Sequence, residues 1–335
     1  MRADNSKYAQ YALCREMLET VDVIRNFGTR DLGKALDSLR KTRKLFMTGE
    51  GSSRIFPAKH TINVIQKNGF PLTAYTEGSR QAAELKLDAF TLFGASNSGK
   101  TKEIISLFKN KKAAGKFALT AFPDTPLGKL SDDAFILSCG KEEAVAATKS
   151  VIEQALFYHH LLKKYVGADC DRSLSELADK AREVLEMRID PELIAAISDA
   201  DMIYFAGRNV GVAEEATLKT NEITRKKSAY LEGTYAVHGI EEVMTEKEVV
   251  IVIDPYKEEE EKFKEVLVDG VGMKVIAVSA RETMFPTLRI PSISCYDAYL
   301  QLLACWNILV EVGIAAGVDL DHPTRARKVG NEFNG

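Results

Sequence analysis

The chain has 335 residues, which at ~150 residues per domain sets an expectation of about two domains. Apolar residues make up 45% and charged residues 28%, and 45 basic against 48 acidic side chains leave a net charge of −3. These figures exclude a disordered, collagenous or disulfide-scaffolded chain, and they exclude nucleic-acid binding by bulk positive charge. Hydrophobic periodicity then predicts helices over 8–27 and 31–41, a strand over 45–49, a helix over 54–66 and a strand over 70–75. A strand over 89–95 feeds a helix over 100–112. Strands follow over 116–122 and 134–139, and a helix over 148–165. Strands that are apolar on both faces and separated by helices belong to a buried parallel sheet.

The charged stretch 166–190 reads as a linker with a helix. Beyond it the plan repeats: strand 202–207, helix 210–227, strand 249–254, charged helix 256–270, strand 274–280 and a long apolar helix 296–317. Segments 44–53, 89–96 and 116–122 overlay 202–211, 248–255 and 274–280 with an offset close to 158 residues, the mark of an internal duplication. The expected fold class is α/β, with two tandem doubly wound parallel-sheet domains and helices on both faces. The expected boundaries are N-terminal helices over 1–42, a first domain over 43–167, and a second domain with a C-terminal tail over 190–335.

Five scattered cysteines (Cys14, Cys139, Cys170, Cys295 and Cys305) form no C-x-x-C pair. That usage suits reduced thiols in a cytoplasmic protein and suits neither a disulfide framework nor a zinc ribbon. No apolar run approaches the ~20 residues of a membrane span, and the polar start Met1-Arg-Ala-Asp-Asn-Ser6 is unlike a signal peptide.

Gly94-Ala-Ser-Asn-Ser-Gly99-Lys100-Thr101 fits the nucleotide-loop pattern G-x-x-x-x-G-K-S/T between a strand and a helix, and the strand ending at Asp254 imitates the acidic magnesium strand of an ATPase. The repeat argues against an ATPase, because Asp254 lies 158 residues after Ser96 and so belongs to the duplicate of the loop-bearing strand. The phosphate-cradling physics survives. Ser96, Asn97, Ser98 and Thr101 stand where a strand ends and a helix begins, so hydroxyls join the positive end of a helix dipole. A simple N-cap needs only one of them. Ser52 and Ser53 occupy the same kind of strand end after Gly49-Glu-Gly51. In the second copy Asp254-Pro-Tyr256 is acidic at the loop position and repels phosphate, leaving one phosphate site per chain.

On these residues the sequence resembles the double sugar-isomerase (SIS) domain family, whose branches include the isomerase half of glucosamine-6-phosphate synthases, the fructosamine-6-phosphate deglycases and the ketose/aldose phosphate isomerases. Residues 49–53 resemble the family's first serine/threonine loop and 96–101 its S-x-S-G-x-T phosphate loop. The stretch from Glu142 to Lys149 resembles E-x-x-V-A-S-T-K. Glu215-Ala-Thr-Leu-Lys219-Thr-Asn-Glu222 resembles the E-G-A-L-K-x-x-E helix, and Val237-His238-Gly239 the H-G-P turn. There are departures: Ala147 for a serine, Ala216 for a glycine, Ile240 for a proline, Ala229 for an acidic residue at a substrate-facing helix end, and a shorter 207–213 stretch. Lys328 matches the synthase's imine-forming tail lysine only loosely. The synthases' glutaminase portion has no counterpart, so the expectation is that glutamine does not supply ammonia within this chain.

Glu215, Lys219 and Glu222 share one helix face by their i, i+4, i+7 spacing. The resemblance makes Glu222 the base that moves a proton between C1 and C2 of a 6-phosphosugar, Lys219 its partner, and His238 the acid/base for ring opening, reaching into a partner subunit. A carboxylate in a partly desolvated site suits such a base, and an imidazole suits proton shuttling near neutral pH. Ser52, Ser53, Ser96, Asn97, Ser98, Thr101, Ala147 and Lys328 are the expected phosphate and substrate contacts. The expected activity is amine cleavage from a fructosamine or glucosamine 6-phosphate through an enaminol. Aldose–ketose 6-phosphate isomerisation and non-catalytic phosphosugar-binding regulation are the alternatives. The expected assembly is a homodimer with the active site at the subunit interface. Neither cofactor, metal, nucleic acid nor membrane is expected. His60, His159 and His160 read as structural or surface, and Glu258–Glu261 as a solvated charge run. Glu77 is a candidate for orienting the sugar or the neighbouring subunit.

Overall fold

Short segments, most apolar in the central strands, become the strands of two sheets. In the computed structural model the described residues are 1–28, 30–167, 173–325 and 332–333. The longer helices and the strands run in the order α1 (Ala12–Arg25), α2 (Gly33–Thr42), β1 (Lys44–Gly49), α3 (Ile55–Lys67), β2 (Thr73–Glu77), β3 (Thr91–Ala95), α4 (Lys102–Asn110), β4 (Gly115–Thr120), β5 (Asp133–Ile136) and α5 (Lys149–Val166). They continue with α6 (Leu174–Glu186), α7 (Pro191–Asp199), β6 (Met202–Gly207), α8 (Val212–Thr224), β7 (Lys227–Glu232), β8 (Val249–Ile253), β9 (Lys274–Ser279), β10 (Thr287–Arg289) and α9 (Asp297–Ala315).

Both sheets have five strands, in the orders β2-β1-β3-β4-β5 and β10-β9-β8-β6-β7. Every neighbouring pair is parallel. Read from the other edge, the second sheet repeats the first, with β6 and β8 in the places of β1 and β3. β6 begins 158 residues after β1, and β8 158 residues after β3. Every residue of β3 and of β8 is buried, as strands covered on both faces must be.

The chain divides into two compact units. One comprises Asp22–Glu143, Ala147–Leu174 and Arg325–Gly335 and holds the first sheet. Its core joins Leu45, Met47, Phe93, Phe117, Leu119 and Phe135 to Phe157 and Tyr158 of α5. Rings of Phe93 and Phe117 stack at 5.2 Å. The other unit comprises Met1–Val21, Ala144–Ala146 and Ser175–Thr324 and holds the second sheet. Within it the first turn of α1 is capped from a distance, since the Ala12 and Leu13 N–H groups donate to the Asp321 carboxylate at 2.7 and 2.8 Å. Such a contact satisfies two of the N–H groups that every helix start leaves over.

Several elements differ from the sequence expectation. The first helix breaks before α1, leaving a separate turn at Ser6–Ala9. β2 starts at Thr73, past Pro71, which has no N–H for a ladder. The helix expected to Lys227 stops at Thr224, where Arg225 takes a left-handed conformation with φ 59°. The chain then enters β7, an edge strand hidden by its polar surface pattern. Ala229 therefore lies on a strand against the second core and not at a helix end. α7 and β10 were not expected, although Asp190 caps α7 and Pro191 opens it, both readable start signals. The charged helix over 256–270 resolves into a 3-10 turn, one α turn and a π-helical stretch at Lys264–Val271.

α9 corrects the expectation that no segment approaches membrane length. At 19 residues and a hydropathy of 1.5 it is, among the described residues, the one helix long and apolar enough to cross a membrane by length and composition. Its apolar window is 72% buried inside the protein, with Trp306, Tyr299 and Leu303 in the core. A buried amide is served there too: Asn307 Nδ2 donates to the carbonyls of Val184 and Met187 at 3.0 and 2.9 Å.

Candidate active site

Strand order locates a candidate phosphate site in the unit that holds the first sheet. β1 leads outward to β2 and β3 leads the other way to β4, so the carboxyl ends of β1 and β3 flank a topological switch point, where open α/β sheets bind ligands. Gly49 and Ala95, the last residues of the two strands, face each other there. Gly49 has no room for a side chain: a Cβ would lie 2.9 Å from the Ser53 carbonyl oxygen and 3.1 Å from that of Ala95. The turn Gly51–Ser53 follows β1, and the loop Ser96–Thr101 follows β3. The structure thus brings Ser52, Ser53, Ser96, Asn97, Ser98 and Thr101 to neighbouring strand ends of one sheet.

Within the loop the hydroxyls shape the backbone. Ser96, buried, accepts from the Gly99 N–H through its Oγ at 3.1 Å, and that Oγ lies 2.8 Å from Thr101 Oγ1. Ser98 Oγ accepts from the Lys100 N–H at 3.2 Å. Gly99 is left-handed at φ 63°, and a Cβ there would stand 2.4 Å from Thr125 Cβ. Thr101 is the N-cap of α4 but makes no side-chain capping bond, so the positive end of the helix dipole faces the crevice without a side-chain cap. Asn97 is committed elsewhere: its Nδ2 donates to Glu142 Oε2 at 3.3 Å and its Oδ1 accepts from Cys139 Sγ at 3.9 Å. The Asn97 side chain is thus tied to Glu142 and Cys139. Lys100 is exposed and its carbonyl accepts from the Phe333 N–H at 2.7 Å. β8, which carries the ATPase-like aspartate, lies in the other sheet from the loop.

The stretch before α5 packs beside this loop. Ala147, half-buried, precedes Thr148, the N-cap of α5. Glu142, buried, accepts from the Thr148 N–H at 2.7 Å, from Thr148 Oγ1 at 3.2 Å and from Ser150 Oγ at 2.5 Å. Glu142 stands in the quoted motif, but its part in holding the loop was not read from sequence, because its donors come from two segments some fifty residues apart, Asn97 in one and Thr148 and Ser150 in the other. Gln154 Nε2 reaches Ser53 Oγ at 3.5 Å from α5. The carbonyl of Glu77, at the end of β2, accepts from Thr48 Oγ1 at 2.8 Å.

A separate charged cluster lies on α8, in the unit that holds the second sheet. Lys219 and Glu215 are fully buried and Glu222 keeps 26% of its side chain exposed. The Lys219 ammonium lies 2.8 Å from Glu222 Oε2 and 3.4 Å from Glu215 Oε1. One face of a helix thus carries two carboxylates around one ammonium, as the spacing predicted. His238 is exposed after the 3-10 turn Tyr235–Val237, and its Nε2 lies 3.1 Å from Thr234 Oγ1; this bond is to Thr234 and not to the cluster. Lys328 lies outside the described residues. The switch point of the second sheet, between β6 and β8, is filled differently. Arg208 Nη1 pairs with Asp254 Oδ2 at 2.7 Å and the guanidinium stacks 4.1 Å over the Tyr256 ring. Asp254 thus answers to an arginine where its counterpart Ser96 sits in a hydroxyl loop.

The remaining histidines have other settings. His60 is buried and stacks on Phe56 at 5.4 Å. Burial, then the neighbouring His159, hold it down to about 3. Burial, then Lys163 and His160, hold His159 down to about 4. His322 is exposed and pairs with Asp319 at 3.1 Å.

No family model matches the chain. A glutamine–fructose-6-phosphate aminotransferase (isomerizing) from Clostridium perfringens is 26% identical over 264 residues, covering 70% of this chain and 42% of that protein. The chain thus spans about two-fifths of the length of the curated relatives it matches. Among solved structures, tagatose-6-phosphate ketose/aldose isomerase from Escherichia coli superposes with a TM-score of 0.78 at 18% identity, covering 96% of this chain and 99% of that one. Glucosamine-6-phosphate deaminase from Thermotoga maritima superposes at 0.72 and 19% identity, covering 95% and 98%. At these identities the structural likeness establishes the fold. The chain is a homologue of the isomerase portion of the glutamine–fructose-6-phosphate aminotransferases and has the fold of the sugar-isomerase (SIS) phosphosugar isomerases.

Proposed function

We propose that the protein is a 6-phosphosugar-processing enzyme that releases an amine from a fructosamine or glucosamine 6-phosphate. One observation carries the reading: Glu222 is the solvent-reaching end of an otherwise buried charge cluster, held by Lys219. A carboxylate fixed in that way is a positioned base that substrate can still reach. The loop Ser96–Thr101 with the turn Gly51–Ser53 takes the phosphate, through backbone N–H groups and the α4 dipole. In the fructosamine case Glu222 removes a proton from C1, forming the C1–C2 enaminol. Return of the proton to C2 leaves a C1 imine, and water hydrolyses it to the 6-phosphoaldose and the free amine. Lys219 keeps Glu222 oriented, and its charge stabilises the oxyanion side of the enaminol.

We also infer that the two units are tandem copies of one domain, supported by the common strand order and the 158-residue displacement of β6 and β8. His238 is assigned to ring opening in the site of a second copy of the chain. Its exposure beside exposed Tyr235 and Val243 supports that assignment. The expected state is a homodimer, checked by light scattering.

The test is a thermal-shift panel with fructose, tagatose, glucosamine and several fructosamine 6-phosphates, followed by amine release on each stabilising compound. Amine production that is lost in Glu222→Gln supports the proposal. Ketose–aldose interconversion without amine points to the isomerase alternative, and turnover that Glu222→Gln leaves unchanged removes Glu222 from the mechanism.

A further inference from the structure

Resting on the phosphate assignment above, we propose that Glu142 is a positioning residue that sets the affinity of the loop Ser96–Thr101 for phosphate, acting through Asn97. Its carboxylate is buried and faces donors only. Oε1 accepts from the Thr148 N–H at 2.7 Å, Thr148 Oγ1 at 3.2 Å and the Ser150 N–H at 3.5 Å. Oε2 accepts from Ser150 Oγ at 2.5 Å and Asn97 Nδ2 at 3.3 Å. Of the side chains that could stand here, an ionised carboxylate accepts from all of these and donates to none.

The five donors come from two places. Thr148 and Ser150 are fixed to the start of α5. Asn97 belongs to the phosphate loop: its backbone carbonyl accepts from the Ala121 N–H at 2.9 Å, while its side chain, apart from Glu142, meets only Cys139 Sγ at 3.9 Å on its Oδ1. Glu142 therefore transmits the rigid helix start to the loop. With Asn97 held, the peptide groups on either side are presented to an anion already in place, and little ordering entropy is left to lose on binding.

The substitution Glu142→Gln would change this in a defined way. The NH2 group of the new amide could not face the Thr148 donors, so it would turn toward Asn97, where two NH2 groups cannot meet. Asn97 must then rotate its amide or withdraw, and the loop loses its tether while α5 keeps its cap.

The test measures steady-state kinetics on the phosphosugar the panel identifies, with inorganic phosphate as competitive inhibitor. For Glu142→Gln we expect KM and the phosphate Ki to rise together by roughly 10- to 100-fold, the loss of a charged hydrogen bond, with kcat within about threefold. The double variant Asn97→Ala/Glu142→Gln should be no worse than Asn97→Ala alone, since a residue acting through another shows no separate effect. Additive losses, or a fall in kcat at unchanged KM, overturn the proposal. If Glu142→Gln does not fold, Glu142→Asp decides: its shorter side chain keeps the charge and loses reach to Asn97, so an unchanged KM is equally fatal. Wild-type protein that binds neither phosphosugars nor phosphate overturns the functional reading itself, whereas wild-type binding matched by Glu142→Gln overturns the role of Glu142 alone.

Discussion

Lys219, fully buried, places its ammonium 2.8 Å from Oε2 of Glu222 on the same helix face. The next carboxylate, Glu215 at 3.4 Å, is also fully buried. Burying charges is costly unless they are paired, and here the pairing ends in the one group of the three that reaches solvent.

Removing the proposed base should stop the chemistry and spare the fold. Glu222→Gln keeps the shape and a hydrogen-bond acceptor for Lys219. Turnover is expected to fall by roughly 10²- to 10⁴-fold, the range for a lost general base. KM and the thermal midpoint should change little, as checked by amine release and calorimetry on the same preparation.

Removing the ammonium should damage stability as well. Lys219→Met leaves Glu215 buried without its cation, and breaking a buried pair in this way costs about 3–5 kcal/mol. Urea unfolding measures it. The double variant Glu215→Gln/Lys219→Met should recover part of the loss, and no recovery would show that the cost lies in packing.

Ser96→Ala should act on binding. It removes the acceptor for the Gly99 N–H and the partner of Thr101. KM for the phosphosugar should rise about tenfold, the value of one buried hydrogen bond, while kcat stays near wild type. Gly99→Ala should be worse and also destabilise the protein by about 1–3 kcal/mol, because its left-handed backbone is strained for a side chain and Thr125 occupies the space.

Acid should weaken the first-sheet unit through its histidines. His60 is held down to about 3 and His159 to about 4 in the folded protein, against 6.5 for a free histidine. Below pH 6.5 the unfolded chain takes up protons that the folded one refuses, so stability is full above 6.5 and falls as the pH drops toward 4 and 3. His60 alone accounts for about 2–3 kcal/mol between pH 6.5 and 4.5. Thermal melts at pH 7.5, 5.5 and 4.5 should show a shallower decline for His60→Leu than for wild type. Parallel curves would assign the acid sensitivity to other groups.

Much of this was legible in the amino-acid order because it depends on near neighbours. Period-2 and period-3.6 patterns are local, so the buried strands β1, β3, β6, β8 and β9 fell where the apolar runs stand. The offset of 158 residues came from the same runs, and the Glu215–Lys219–Glu222 face follows from helix geometry alone. β7 and β10 stayed hidden because edge strands carry mixed polar patterns that resemble loops or the ends of helices. Strand order decided the rest. It put Gly49 beside Ala95, and with them two loops far apart in sequence, and it separated Asp254 from the nucleotide-like loop by placing it in another sheet. It also gave Asn97 and Thr148 to one carboxylate. Sequence by itself determined the pieces with local causes: the elements, the repeat and the charged helix face. The tertiary structure decided which acceptor each buried donor around the loop meets, because a buried donor is committed to whatever acceptor the fold brings within hydrogen-bond reach, and no spacing along the chain records that.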